Sequence, residues 1–386
     1  MMHRAVVRMG ATVVATLCAT ASLVAVSPFV PPTTAAAAAG RHPVAPFTTN
    51  FFGISTGAEI INLPDVDFAT QMNMMAKIGV HWIRVGLPWA LVQPQSGDPA
   101  NDDWTFVDRL VNFAGALHMQ IDAIVDNPPA WAEQSIPTIS CTVQPPFDET
   151  AYAAFSASVA QRYSATVLSA IELENAPNLT GLWRPPDACA YTELMRQSYT
   201  AIKTANPAVT VLTGGLGAQN AIRHGSQGIA GDVFAAELYA QGAQGTFDVL
   251  SWHPSSYPCT PSQPCPKNRP WYRTADVRQT MVDYGDGAKQ IWATEFGSPT
   301  NGNVGDGHVD EATQSSIMLD AMQQWITFPW GGPFFVFTLR DHGTNPKLKG
   351  DWFGLVSRDF GHKKPAYFTY KYEATGIGTP PATATP

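Results

Sequence analysis

The segment Ile291-Trp292-Ala293-Thr294-Glu295-Phe296-Gly297 ends an apolar run on a single carboxylate. At the rim of a sheet, such a group can attack an anomeric carbon or stabilise positive charge on it. A second segment, Ile171-Glu172-Leu173-Glu174-Asn175-Ala176-Pro177-Asn178, alternates acidic and apolar side chains before turn residues. A third, Asp248-Val249-Leu250-Ser251-Trp252-His253-Pro254 followed by Tyr257, supplies an imidazole and a phenol. Arg84, within Trp82-Ile83-Arg84-Val85, is a cation that would keep a nearby carboxylate ionised. The same groups would also suit a buried polar network that merely satisfies itself. Asp126 and Asp341 stand just beyond two further apolar runs, where a structural hydrogen bond is the plainer role. Trp89, Trp131, Trp183, Tyr257, Trp271 and Trp352 recur in the connecting segments. Aromatic rings there can stack on the flat apolar faces of sugars or anchor packing.

These groups need a frame that aims them at one place. From residue 50 onward, short apolar runs alternate with segments of helical period, the pattern of a parallel sheet with helical crossovers. The runs are Phe51–Ile54, Trp82–Val85, Gln120–Val125, Ser169–Glu174, Thr210–Leu212, Phe247–Ser251, Gln290–Thr294 and Phe334–Phe337. The helical segments lie near Phe68–Ile78, Trp104–Leu117, Glu149–Tyr163, Ala190–Ala205, Asp232–Ala240, Val277–Tyr284 and Glu311–Thr327. Asp310 is placed to cap the last of these, and Asn206-Pro207 to end the fourth. Strand–helix units in this number predict a single-domain α/β fold, the (β/α)8 TIM barrel, whose chemistry gathers at the C-terminal ends of the strands.

The chain has 386 residues, a net charge of −8 and only 14% charged residues, without the clustered Lys and Arg that a nucleic-acid partner needs. Residues 1–39 read as a secretory signal: Arg4 and Arg8 precede an uncharged apolar run and the small residues Ala35–Ala39. The expected division is a signal over 1–39, a barrel over 40–375 and a low-complexity Thr/Pro/Ala tail over 376–386. The mature chain is then expected outside the cell or in its envelope, off the membrane and monomeric. Beyond Cys18 in the leader, an even set of cysteines suits an oxidising compartment, with Cys259 pairing locally to Cys265 and Cys141 to Cys189. No Cys-x-x-Cys, His pair or Gly-rich phosphate fingerprint stands out, so neither metal nor cofactor is expected. None of the eight strand runs contains the Lys that a Schiff-base enzyme would require.

Asn175, Pro177, Asn178, the stretch from Asp248 to His253, Arg84 and Glu295 together resemble the clan A glycoside hydrolases, of the cellulase-like family five and xylosidase-like family thirty-nine type. Phe353-Gly354-Leu355-Val356 and Lys364-Pro365-Ala366-Tyr367 resemble the closing element of the same clan, so the likeness spans about residues 50–372. The resemblance implies a retaining barrel acting on a β-linked oligo- or polysaccharide, with Glu295 as nucleophile. It also implies supporting roles for Asn175, His253, Tyr257 and Arg84, and substrate contacts from Trp89, Asp126, Trp131, Asn178, Trp183, Trp271, Asp341 and Trp352. The clan reads Asn-Glu-Pro where this chain reads Asn175-Ala176-Pro177, which puts Ala176 at the acid/base position. A methyl group neither gives nor takes a proton. Three readings remain open: a substitution made to trap substrate, a carbohydrate-binding barrel without turnover, or service by another acid. Glu172 and Glu174 share strand parity with Ala176, but each two-residue step along a strand moves a side chain about 6.5–7 Å deeper.

Overall fold

The structure, a computed structural model, describes residues 51–379 and 381, apart from 97–98, 134–140, 142–144, 218–223, 226 and 266–269. The expected export signal and most of the expected tail lie outside the described residues.

Eight parallel strands form the sheet: β1 Phe52–Ser55, β2 Trp82–Pro88, β3 Gln120–Asp126, β4 Leu168–Asn175, β5 Thr210–Gly215, β6 Leu250–Trp252, β7 Ile291–Phe296 and β8 Gly331–Phe337. Their order is β5-β4-β3-β2-β1-β8-β7-β6. The remaining seam, between β5 and β6, is closed by isolated parallel bridges, Leu212 to Val249 and Leu216 to Trp252. Between the strands run α1 Asp65–Lys77, α2 Thr105–Ala116, α3 Glu149–Arg162, α4 Ala188–Ala205, α5 Gly231–Ala240, α6 Thr274–Asp283 and α7 Glu311–Trp325, and α8 Pro365–Thr375 follows β8. The fold is a single-domain (β/α)8 barrel.

Local signals account for many of the element ends. Asp148, Asp187 and Asp310 accept from the amides of Ala151, Ala190 and Thr313 at the starts of α3, α4 and α7, satisfying amides that a helix leaves unpaired. Asn206 ends α4 in an extended conformation before Pro207. The sixth strand begins at Leu250, later than the apolar run suggests, because Val249 only bridges to Leu212 and the Asp248 carboxylate accepts from the Val211 amide at 2.9 Å.

Side chains alternate across each strand. The outward set, among them Ile54, Ile83, Val85, Ile121, Ile171, Leu173, Val211 and Val336, belongs to one continuous apolar core with the helices. The inward set forms layers. The lower layer is apolar: Ala170, Leu212, Val249, Trp292 and Phe335, with Trp82 packed against them. Gly53 belongs here because a Cβ on it would run into the Phe335 ring and the Trp82 carbonyl. Above this plug the inward residues turn polar, and the chemistry is concentrated in that upper layer. The cysteine pairs Cys141–Cys189 and Cys259–Cys265 stand within disulfide distance, with Cα separations of 5.7 and 6.1 Å. No helix among the described residues is long and apolar enough to cross a membrane.

Candidate active site

Arg84 projects from β2 into the barrel and is fully buried. Its Nε and Nη2 donate to Glu172 on β4 at 3.0 and 2.6 Å, and Nη2 also donates to Asn175 at 2.9 Å. Its Nη1 donates to Ser55 on β1 at 3.1 Å and to Glu295 on β7 at 2.7 Å. Burial opposes the guanidinium charge, but Glu172 and Glu295 more than offset that and raise its pKa. Glu172 accepts in addition from the Gly215 amide at 2.8 Å and the Ser251 hydroxyl at 3.1 Å, and Ser251 meets Thr294 at 2.5 Å. Five strands, β1, β4, β5, β6 and β7, are thereby tied directly or through Glu172 to Arg84 on β2.

The Glu295 side chain keeps a quarter of its surface exposed. Burial pushes its pKa up, but His253 and Arg84 more than offset this, so the carboxyl lies below its ordinary range and is ionised. The His253 ring has Nδ1 at 3.6 Å from Glu295 Oε2 and Nε2 at 3.4 Å from Arg84 Nη2. Burial lowers the pKa of His253, which keeps the ring neutral near pH 7. A guanidinium has only donors, so the ring proton belongs on Nδ1, facing the carboxylate. Gly215 fits the ring closely: a Cβ there would overlap the imidazole of His253.

A cleft of about 230 Å³ opens over this layer. Asn175, Ala176, Leu179, Leu182 and Gly217 line it from the β4 and β5 ends, and His253, Ser255, Tyr257, Glu295, Gly297, Phe337 and Phe353 line the rest. Ala176 is held in a left-handed conformation, φ 46°, as are Glu174 at 66° and Asn127 at 51°. Three such residues at neighbouring strand ends store backbone strain, as functional sites often do.

The structure therefore brings Arg84, Asn175, Ala176, His253, Tyr257 and Glu295 together at one mouth. It does not bring most of the expected substrate contacts there. Trp89 is sealed among Trp131, Tyr152 and Phe155, and Trp131 donates to the Gln93 carbonyl at 3.0 Å. Trp183 packs on Phe147 and Tyr191, Trp271 on Phe296 and Trp325, and Trp352 donates to the Asn345 carbonyl at 2.8 Å. Asn178 is fully buried, its amide spent on Gly217 and Ile229. Asp341 pairs with Lys364 at 2.8 Å and accepts from the Gly354 amide at 2.8 Å. None of these expected contacts is among the residues that line the cleft.

Asp126 ends β3 half-buried, bonded by the Asn127 amide at 3.0 Å, and burial above all pushes it up to about 7. Glu174, whose Oε1 has no partner, is also raised, by burial first and by Asp126 second. Asp122 is fully buried below them with neither oxygen paired, and burial and Glu172 raise it as well. Asp122 and His342 stand outside the groups first singled out from the sequence. An acid breaking an apolar strand, as Asp122 does, is a signal that could have flagged it. His342 lies beyond β8, 5.2 Å from the Phe337 ring, and gives no such signal.

Cys141, Asp187 and Cys189 lie close enough to share an ion, but the two sulfurs are within disulfide distance of each other and Asp187 caps α4.

No family model and no curated protein matches the sequence. Solved structures do match. A family 39 glycoside hydrolase from the gut symbiont Bacteroides cellulosilyticus WH2 is 19% identical over 85% of this chain, with a TM-score of 0.65. The GH39 enzyme from Xanthomonas axonopodis pv. citri is 20% identical over 84%, TM-score 0.61. A GH39 β-xylosidase from Caulobacter crescentus is 20% identical over 86%, TM-score 0.61. This chain spans 64%, 66% and 72% of their respective lengths. At such identities the likeness is one of fold.

Proposed function

We propose that the chain is an exported, retaining glycoside hydrolase that acts on β-linked sugars, with Glu295 as nucleophile. One observation carries this reading: Glu295 is the one acid among the described residues that line the cleft, it is ionised, and Arg84 and His253 fix it. The likeness of the barrel to glycoside hydrolases supports it.

In this mechanism a Glu295 oxygen attacks the anomeric carbon as the aglycone departs from the opposite face, giving a glycosyl ester that water then hydrolyses. Arg84 takes one oxygen of Glu295 and leaves the other to His253 and the substrate. Asn175, held by Arg84, offers its amide N–H to the sugar. Ala176 occupies the position from which the clan's acid would act, so natural glycosides turn over slowly. A leader over residues 1–39, a barrel over 40–375, a tail over 376–386 and a monomeric extracellular or envelope protein complete the proposal. The two cysteine pairs support export.

The Ala176 methyl in the cleft favours one second reading, a barrel that binds carbohydrate without turnover. Dinitrophenyl fluoroglycosides of xylose, glucose, galactose and mannose separate the two. The hydrolase acquires a glycosyl mass on the peptide that contains Glu295. Glycan binding with no adduct from any of the four identifies the binding protein.

A further inference from the structure

The wall of the cleft on the β4 side is made of hydrocarbon. Ala176 and Leu179 converge there, since a Cβ placed on Gly217 would fall 2.7 Å from Leu179 Cδ1 and 3.1 Å from Ala176 Cβ. Leu182, 55% exposed, continues the wall outward. An exposed leucine on the rim of a cleft is an unsatisfied apolar surface whose burial by a ligand is favourable. The far side adds aromatic rings: Phe353 sits 5.5 Å from Phe337 and 5.8 Å from Tyr257.

Attack in line by Glu295 expels the aglycone to the side of the cleft away from this carboxylate, and Ala176, at the clan's acid position, lies on the β4 wall. On that wall the described lining groups are Asn175, Ala176, Leu179, Leu182 and Gly217. None is an acid. Asn175 donates hydrogen bonds but transfers no proton. The departing oxygen therefore leaves as an anion, beside apolar side chains.

Resting on the hydrolase reading, we propose that the substrates of this site are aryl glycosides whose released phenol is acidic, seated against Ala176, Leu179 and Leu182. In the first step a Glu295 oxygen bonds to the anomeric carbon. The bond from that carbon to the aryl oxygen breaks, and its electron pair leaves on an aryloxide. In the second step water bonds to the same carbon, the Glu295 ester breaks and restores the carboxylate, and the proton of the water passes to solvent. With no carboxylate among the described residues of the β4 wall to take that proton, the second step is slow and the glycosyl-enzyme accumulates.

The test is a series of aryl glycosides of one sugar, the one that labels Glu295, with phenols from strongly to weakly acidic. With no proton donor, kcat/KM falls by up to about tenfold for each unit of phenol pKa. A burst of phenol precedes steady turnover, and azide raises kcat and yields glycosyl azide. Ala176→Glu flattens the dependence and speeds the least acidic member by about 10²–10⁴-fold. Leu182→Ser raises KM for the aryl series more than it raises that of the glycosyl fluoride, which has no ring. A kcat/KM that is flat across the series in the unaltered chain overturns the proposal and places a proton donor in the site; loss of rate in Glu174→Gln or Asp126→Asn would then identify it. Absence of any adduct or phenol release from every activated sugar overturns the hydrolase reading itself.

Discussion

Arg84 and Glu172 meet edge to edge inside the barrel, Nε to Oε2 at 3.0 Å and Nη2 to Oε1 at 2.6 Å, with both side chains closed to solvent. Two parallel bonds fix the plane of the guanidinium, and that plane aims Nη1 at Glu295. Glu172 thus sets the position of a group it does not touch.

Removing the cation leaves Glu172 buried without its charge partner. Arg84→Met is expected to cost about 3–5 kcal/mol of stability, because an uncompensated buried carboxylate remains. Urea unfolding checks this. A midpoint within error of the parent would show that water replaces the guanidinium.

Glu295→Gln removes the charge while keeping the shape. Labelling by the activated fluoroglycosides is expected to vanish, with the melting temperature little changed at pH 7; an adduct that persists would remove Glu295 from the mechanism.

In the unaltered chain the carboxyl of Glu295 titrates below its ordinary value of about 4.3. Labelling should therefore keep its full rate down to about that pH, and fall only in more acid solution. A labelling rate that already halves near pH 6 would place a different ionisation in control.

Asp126 makes the opposite contribution. Its carboxyl titrates at about 7 in the fold against about 3.9 in the unfolded chain, so between those values the native state holds a proton that the unfolded state releases. Stability from this group is complete at acid pH and declines as pH rises through that window. Glu174, raised by its burial and by Asp126, acts in the same direction. Asp126→Asn is expected to lose less Tm than the parent between pH 4 and pH 7, read by calorimetry; equal losses would refute the assignment.

Gly215→Ala sets a methyl against the His253 ring. Overpacking of this kind typically costs 1–3 kcal/mol. Displacing the ring should also slow labelling of Glu295 more than it weakens binding of the sugar. Equal effects on both would mean that the whole strand end has shifted.

The strands were readable because a parallel barrel buries both faces of each, leaving near-continuous apolar runs such as Ile291 to Ala293 and Phe334 to Val336. Strand runs and their ends pointed to Arg84, His253 and Glu295, while Asn175 was marked by the likeness to the clan's Asn-Glu-Pro pattern. The tryptophans were less legible, since a ring in a connecting segment carries no mark of which way it faces; Trp89 and Trp183 are both 1% exposed or less. The depth argument for Glu172 agrees with its place beneath Asn175, yet its bidentate grip on Arg84 depends on the rotation of β2 against β4 across the lumen. No spacing within one strand encodes that. Leu179 and Leu182 likewise had no periodic signal, being residues of an irregular loop.

The join between β5 and β6 is made by isolated bridges where the other neighbouring strands share ladders. Two of its links come from side chains: the Thr213 hydroxyl accepts from the Ser251 amide at 2.9 Å, and Asp248 accepts from Val211. Peptide groups cross this join as well, Thr213 N–H donating to the Val249 carbonyl and Leu216 N–H to that of Ser251. The last stave is thus fastened in part by groups that one codon can alter, and Ser251 and His253 sit on its neighbour. Substitution of Thr213 or Asp248 therefore bears on how Ser251 and His253 are held, although neither Thr213 nor Asp248 lines the cleft.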